Sequence, residues 1–158
     1  MNCRRWFVVM LLSSVSAATV LDRHARETTA AVLVAQKAIA AADFMSAEQL
    51  KTKLARSEPV TIIDVRDTDS YLKSNKIKGS IHVKLRRLSY RLTLAPLKDA
   101  PRDREIVTYC ACLHDEASIR AAQILTDAGF TRVRVLQGGW QMWLRANGQT
   151  EPRPRGAG

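Results

Sequence analysis

Apolar and polar positions along the chain fall into two kinds of segment from about residue 44 onward. Short runs rich in β-branched and other apolar residues, typical of strands covered on both faces, stand at 60–65, 77–83, 106–108 and 133–136. Segments with helical patterns lie around and between these runs, at 46–56, 68–75, 85–92 and 116–128. Strands that alternate with helices predict βαβ units. The pattern therefore predicts an α/β fold with a central parallel sheet and helices on both faces.

Residues with capping side chains mark several of the predicted helix ends. Ser46 and Gln49 form a capping box ahead of the first helix. Thr68 and Asp115 are the predicted N-caps of the helices that follow them. Gly129 stands where a left-handed residue commonly ends a helix.

The segment 109–118, Tyr-Cys-Ala-Cys-Leu-His-Asp-Glu-Ala-Ser, joins the strand at 106–108 to the helix at 116–128. A thiol on such a turn faces unpaired N–H groups and the positive end of the helix dipole, which stabilise a thiolate or a persulfide. That setting lowers the pKa of a cysteine from about 8.5 to roughly 3.5–7.5. Sites in parallel α/β sheets lie beyond the carboxyl ends of the strands, where Cys110 falls. Cys110 is therefore a candidate nucleophile, and a small buried hydrophobe is the alternative interpretation.

Four further stretches resemble parts of the rhodanese family of sulfurtransferases, in the family's order. The stretch 45–50 resembles its opening helix, 62–71 its Asp-Val-Arg motif, 78–81 a turn, and 128–143 its closing Gly-Gly-aromatic helix. The resemblance covers 44–150 and implies a single rhodanese-like domain. It implies transfer of sulfane sulfur from thiosulfate or a persulfide, through a cysteine persulfide, to a thiol or cyanide, with no cofactor. Asp64 and Arg66 then support the loop as neighbours of the site, and Arg86 and Arg87 face its entrance.

The loop holds two cysteines, and the family pattern matches each from a different end. Counted from the strand, Tyr109-Cys110 matches the usual Tyr-Cys, whereas counted from the helix, Cys112 has the usual spacing to Ser118. Extra residues are absorbed more easily in an exposed loop than in a strand, which favours Cys110 as nucleophile and leaves Cys112 as the alternative or a second thiol. The other predicted loop and substrate-binding residues are Ala111, Leu113, His114, Asp115, Glu116, Ala117 and Ser118.

This loop departs from the common family form, which carries an arginine and a glycine. The carboxylates of Asp115 and Glu116 stand there instead and are expected to oppose a dianion. Poor turnover with thiosulfate is therefore expected, and a persulfide or protein thiol is an equally good donor. A non-catalytic or redox-sensing module that uses the Cys-x-Cys pair is the alternative function. A phosphatase or arsenate reductase would need an arginine where Glu116 or Ser118 stands.

The charge of the chain is strongly positive, with a formal net charge of +10. Seven cations and no acid fall within 73–91, a segment expected to attract anions. No recognition motif or interleaved aromatic residues accompany this charge, so no nucleic-acid partner is expected. Cys110 and Cys112 lack the further ligands of a structural zinc site, so no metal is expected. The expected partners are a persulfide donor, small molecule or protein, and a thiol acceptor.

The two ends of the chain differ from its centre. Residues 1–18 combine a positive start, a short apolar run and small residues, which predicts a signal peptide and export to the periplasm or beyond. A mis-assigned start would instead leave the protein in the cytoplasm. The apolar run is too short to span a bilayer, so no membrane span is expected in the mature chain. An alanine-rich lead-in follows at 19–43, and 151–158 is predicted to be a disordered tail.

Overall fold

The computed structural model describes residues 42–154. The predicted signal peptide 1–18, nearly all of the lead-in 19–43 and the last four residues, 155–158, lie outside the described residues. Within 42–154, no helix has both the length and the apolar character needed to cross a membrane.

Five parallel strands form the central sheet, in the order β1-β6-β5-β2-β4. These strands are β1 (Phe44–Met45), β2 (Val60–Asp64), β4 (Ile81–His82), β5 (Glu105–Tyr109) and β6 (Val133–Leu136). Two more strands, β3 (Lys76–Ile77) and β7 (Thr150–Glu151), form a separate antiparallel pair. The helices are α1 (Ala47–Ala55), α2 (Thr68–Leu72), a 3-10 turn (Leu85–Arg87), α3 (Leu88–Arg91), α4 (Glu116–Asp127) and α5 (Gly139–Arg145).

Helices cover both faces of the sheet, because successive side chains of a strand point to opposite sides. Along β5, Val107 packs in a core with residues of α1 and α5, including Trp143. Its neighbour Ile106 packs on the other face in a core with residues of α3 and α4, including Leu125. The predicted α/β class, with a parallel sheet between two helical layers, is confirmed.

The predicted helices form, but one predicted cap is displaced by one residue, and Asp115, which stands at the predicted N-cap position, lacks the side-chain bond. The capping box of Ser46 and Gln49 is present at α1. At α2 the cap is Asp67 rather than Thr68, because the Asp67 carboxylate accepts the Ser70 N–H at 2.7 Å. Asp115 precedes α4 but makes no capping hydrogen bond with its side chain. The reason is given below with the site.

The predicted strand 77–83 is divided into β3 and β4. The chain turns between them through Gly79, whose φ of +76° suits glycine, and the Ser80 N–H closes the turn on the carbonyl of Ile77. The first half then pairs with β7, and Lys76 forms an ion pair with Glu151. Glu151, assigned above to the disordered tail, thus lies in a strand.

The neighbouring strands β2 and β5 bring the predicted site residues together. Asp64 is the last residue of β2 and pairs in register with Tyr109, the last residue of β5. Cys110 follows directly. Because both strands run in the same direction, the Asp64–Arg66 segment and the cysteine loop begin at the same edge of the sheet.

Candidate active site

A cavity of about 510 Å³ opens at this edge of the sheet. Three segments line it: the end of β2 with the following loop, the 3-10 turn, and the cysteine loop with the start of α4. We call it the reaction cavity; its lining residues are Val65, Arg66, Asp67, Thr68, Lys84, Leu85, Arg86, Ala111, Cys112 and Ala117. The cavity wall combines three cations, Arg66, Lys84 and Arg86, with one carboxylate, Asp67, one thiol and an apolar part. A cavity of this mixed character suits a polar or polarisable ligand.

Cys110 lies beneath the loop and is fully buried. Its Sγ accepts the backbone N–H of Cys112 at 3.3 Å. The hydroxyl of Ser118 lies 3.5 Å from the same sulfur and 2.9 Å from the carbonyl of Asp115, so it donates to one of them at a time. The Cys110 thiol does not line the reaction cavity.

Cys112 is the half-buried thiol of the pair and lines the reaction cavity. Burial raises the pKa of its thiol to about 11, with a further contribution from the adjacent Cys110 thiol. The backbone N–H of Ala117, in the first turn of α4, acts in the opposite direction and lowers it. The accessible sulfur therefore faces the start of the helix and touches the second thiol.

The two carboxylates of the loop do not face the reaction cavity. Asp115 is buried and adopts a left-handed conformation, with a φ of 56°. Its Oδ2 accepts the N–H of Gly138 at 2.8 Å, which is why it does not cap α4. Burial raises the pKa of Asp115, although the Gly138 hydrogen bond lowers it. Glu116 is exposed and is absent from the cavity wall.

A close backbone contact fixes the loop against α5. The N–H of Trp140 donates to the carbonyl of Cys110 at 2.9 Å. A Cβ on Gly139 would lie 2.2 Å from that carbonyl oxygen, and the φ of Gly139 is +46°. Only glycine permits this approach without displacement, so the Gly-Gly pair before Trp140 serves to hold the strand end in place.

Asp64 and Arg66 form a buried ion pair beside the loop. The Arg66 guanidinium donates to the Asp64 carboxylate through Nε and Nη2, the shortest bond being 2.7 Å. Tyr109 donates its hydroxyl to the same carboxylate at 2.6 Å. The remaining bonds of the guanidinium go to Ser74 and to the carbonyl of Asn75. This network ties β2 to β5 below the site.

The network sets the protonation of its members. Burial raises the pKa of Asp64, but the facing His82 and the donors on Arg66 and Tyr109 outweigh it, so that pKa lies below its ordinary value. Burial and the nearby Asp64 charge raise the pKa of Tyr109 well above its ordinary range. Asp64 is therefore a carboxylate and Tyr109 a neutral donor at neutral pH. Neither side chain lines the reaction cavity.

The structure brings some of the predicted site residues together and separates others. Ala111, Cys112, Ala117 and Arg66 line the reaction cavity. Leu113 and His114 are exposed and lie outside its wall. Of the two arginines expected at the entrance, Arg86 lines this cavity and Arg87 does not.

Five lining residues were not singled out as site residues in the sequence: Val65, Asp67 and Thr68, which follow β2, and Lys84 and Leu85, at the start of the 3-10 turn. The cluster of cations in 73–91 was the available signal, but the pairing of β2 with β4 is what brings the start of the 3-10 turn opposite the loop. The family resemblance placed a turn at 78–81 before β4, whereas the hydrophobic pattern predicted one strand over 77–83.

Comparison with known proteins identifies what this arrangement is similar to. The family model described as Rhodanese-like domain matches residues 46–146. Thiosulfate sulfurtransferase GlpE of Shewanella oneidensis is 31% identical over 103 residues, which cover 65% of this chain and 93% of that protein. A sulfurtransferase of Allochromatium vinosum is 28% identical over 101 residues, covering 64% of this chain and 87% of that protein.

Solved structures give the same result. The crystal structure of the Alr3790 protein from Anabaena sp. has a TM-score of 0.59 and 33% identity, covering 69% of this chain and 82% of that one. Thiosulfate sulfurtransferase from Pseudomonas aeruginosa has a TM-score of 0.58 and 28% identity, covering 70% of this chain and 20% of that one.

Proposed function

The chain belongs to the rhodanese-like family, and from that premise we propose that it is a sulfurtransferase whose Cys112 takes up sulfane sulfur in the reaction cavity. One observation carries the proposal: of the two loop thiols, Cys112 lines the cavity while Cys110 is fully buried beneath it. The sequence alone favoured Cys110, because insertions are easier in loops than in strands. Because a donor in the cavity can reach Cys112 but not Cys110, access supports Cys112 as the nucleophile and Cys110 as the second thiol.

The transfer takes two displacements at sulfur. The Cys112 thiolate attacks the outer sulfur of the donor, a new S–S bond forms, and the donor's own S–S bond breaks to release sulfite or a thiolate. An acceptor thiolate or cyanide then attacks the terminal sulfur of the persulfide and frees Cys112. The negative charge of the persulfide would be stabilised by the Ala117 N–H and by the cations of the cavity, Lys84 and Arg86.

Cys110 is proposed to act as a positioning residue in this scheme. Its sulfur accepts the N–H of Cys112 and so fixes the backbone that carries the reacting thiol. It also raises the pKa of Cys112. Removal of the Cys110 thiol is therefore expected to alter the pH dependence of the first step and to leave the step itself possible.

The arrangement supports two classes of donor. Lys84 and Arg86 would attract an anion such as thiosulfate and outnumber the one carboxylate of the wall, Asp67. The loop carboxylates that were expected to repel the anion lie outside the wall. The apolar part of the wall, formed by Val65, Leu85 and Ala117, would accept the organic group of a persulfide. We therefore propose thiosulfate and small organic persulfides as substrates, with a thiol or cyanide as acceptor.

A redox module is the second candidate function. The observation that favours it is the proximity of the two cysteines, which are both free, lie two residues apart and share the bond from the Cys112 N–H to the Cys110 sulfur. Oxidation of the pair to a disulfide would remove two hydrogens and consume an oxidant such as a disulfide compound. Such a module would oxidise reversibly and show no turnover with sulfane donors.

A turnover assay with single-serine variants separates these possibilities. Thiocyanate formation from thiosulfate and cyanide, and sulfide release from a small persulfide with excess thiol, are measured for the parent protein, Cys112→Ser and Cys110→Ser. We expect Cys112→Ser to fall below about one hundredth of the parent rate, since the nucleophile is lost, and Cys110→Ser to retain measurable turnover.

Two other outcomes would overturn the proposal. If Cys110→Ser is inactive and Cys112→Ser is active, the strand-end thiol is the nucleophile. If the parent protein turns over neither donor but loses two hydrogens on mild oxidation and regains them with a dithiol, the redox module is the better description.

A further inference from the structure

A second cavity, of about 250 Å³, adjoins the reaction cavity and has no role in the proposed transfer. We call it the cationic cavity; the lining residues used here are Tyr71, His82, Lys84, Arg87, Tyr90 and Arg91. The two cavities share Thr68 and Lys84 in their walls. They are therefore neighbours on one surface, with Lys84 between them.

Three of these side chains carry fixed positive charge. Among residues 42–154, none of Lys84, Arg87 and Arg91 forms an ion pair with an acid. This differs from the other end of the same sheet, where Arg132 and Arg134 are paired with carboxylates. Like charges brought together without counter-charge repel one another, and an anion between them removes that cost.

His82 lines the cavity with its ring and faces the Asp64 carboxylate. Both of its ring nitrogens are inaccessible and lack a hydrogen-bond partner in the described chain. The nearest carboxylate oxygen is Asp64 Oδ1 at 3.9 Å, too long for a hydrogen bond. The ring is held in place by stacking on Tyr71, with centroids 3.7 Å apart. The ring therefore shapes the cavity wall, and its nitrogens are closed to a ligand in the cavity.

The charge on Asp64 does not cancel the cationic cavity. That carboxylate is fully buried and already receives two nitrogens of Arg66 and the hydroxyl of Tyr109. Its pair with Arg66 is formally neutral. No acidic residue lines the cationic cavity.

We propose that the cationic cavity is a second ligand site, which binds a small oxyanion carrying at least two negative charges. Arg87, Arg91 and Lys84 supply the charge, and the aromatic walls formed by Tyr71, His82 and Tyr90 limit the ligand to a small molecule. Phosphate groups and dicarboxylates share this chemistry. The site requires no sulfur transfer, so it stands or falls separately from the function proposed above.

An NMR titration tests the site directly. Backbone amides of the ¹⁵N-labelled full chain are followed while inorganic phosphate, or separately malonate, is added at constant ionic strength with chloride. Saturable shifts centred on 82–91 are expected for at least one of the two. Arg87→Ala combined with Arg91→Ala should weaken binding at least about tenfold, which corresponds to about 1.4 kcal/mol.

Arg86→Ala is the matched control. It removes one cation from the same turn, but Arg86 lines the reaction cavity and not the cationic cavity. We expect it to change the affinity less than about threefold, the effect of a screened charge.

The proposal would be overturned by amide shifts that do not saturate or that are spread evenly over basic residues elsewhere. It would also be overturned if Arg86→Ala lowered the affinity as much as the Arg87 and Arg91 double variant does. Binding that appears only with anionic lipid vesicles, and not with free phosphate or malonate, would assign the same cations to a membrane surface and would equally exclude a small-molecule site.

Discussion

Two polar regions stand side by side at the carboxyl ends of β2 and β5, and they are built in opposite ways. In the first, all three guanidinium nitrogens of Arg66 donate, and Asp64 accepts from Arg66 and Tyr109. In the second, the loop after Cys110, the buried Asp115 keeps one carboxylate oxygen unpartnered and takes a left-handed backbone. The first region is a completed network, and the second retains unpaired groups and strain next to two free thiols.

The contrast shows how a small domain combines rigidity with reactivity. A satisfied buried network gains from its low-dielectric surroundings and holds its strands in one arrangement. A loop with an unpaired oxygen and a conformation that costs about 1–2 kcal/mol persists only because its surroundings hold it. Here the surroundings are the Trp140 bond to the Cys110 carbonyl and the Gly138 bond to Asp115. The following predictions test the two halves of this contrast.

The largest effect is expected in the completed network. Arg66→Met leaves the Asp64 carboxylate buried without its cation, and loss of one partner of a buried pair costs about 3–5 kcal/mol. The free energy of unfolding is measured by urea denaturation. Arg132→Ala is the control, because its pair with Glu105 is 60% exposed on the arginine side and is worth less than about 1 kcal/mol. Equal effects of the two substitutions would contradict the comparison.

A smaller effect is expected at Asp115. Asp115→Ala removes the acceptor of the Gly138 N–H and places alanine in a left-handed conformation, which should lower the free energy of unfolding by about 1–3 kcal/mol. Asp115→Asn keeps a hydrogen-bond acceptor, and asparagine tolerates the left-handed conformation. The amide is also neutral, so it does not bear the cost of a buried charge, which raises the pKa of Asp115. It should stay within about 1 kcal/mol of the parent at pH 7. If both variants lose the same stability, the hydrogen bond is not what holds the loop.

The pH dependence of Cys112 tests the reactive half. The pKa of the Cys112 thiol is about 11, so at pH values well below 11 the thiolate fraction grows about tenfold per pH unit. Alkylation of Cys112 by iodoacetamide, followed by peptide mass spectrometry, should therefore accelerate about tenfold from pH 7 to 8 and again from 8 to 9. In Cys110→Ser, which removes one of the groups that raise this pKa, the rate at pH 8 should increase. A plateau near the ordinary cysteine value of about 8.5 would contradict the burial of this thiol.

Much of this arrangement followed from the sequence, and the parts that did not share a cause. The β-branched runs at 60–65 and 133–136 predicted strands because strands that are buried on both faces carry nearly continuous apolar runs. The cysteine turn was found because a thiol between a strand and a helix is chemically distinctive. The role of Asp115 was not found in the sequence, because its partner Gly138 is 23 residues away. The tertiary hydrogen bond to Gly138 replaced the local capping bond that the sequence predicts. The proposed assignment of the nucleophile to Cys112 likewise depends on the burial of Cys110, which residue spacing does not encode.

The smallest effect is expected at Glu116. In the sequence this carboxylate was expected to repel thiosulfate, but the side chain is exposed and lies outside the reaction cavity. Screening by solvent and salt then leaves little of the repulsion. Glu116→Arg should change kcat/KM for thiosulfate less than about twofold at physiological ionic strength. A tenfold increase would show that Glu116 turns toward the donor.

The most direct test of the central claim is to locate the sulfur itself. The purified, reduced protein is exposed to thiosulfate or a small persulfide, blocked with an alkylating agent and digested, and the peptide that spans Cys110 and Cys112 is fragmented in the mass spectrometer. We predict a gain of one sulfur atom on Cys112, the same gain in Cys110→Ser and none in Cys112→Ser. A gain confined to Cys110, or no gain on either cysteine, would contradict the assignment of sulfur uptake to the accessible thiol.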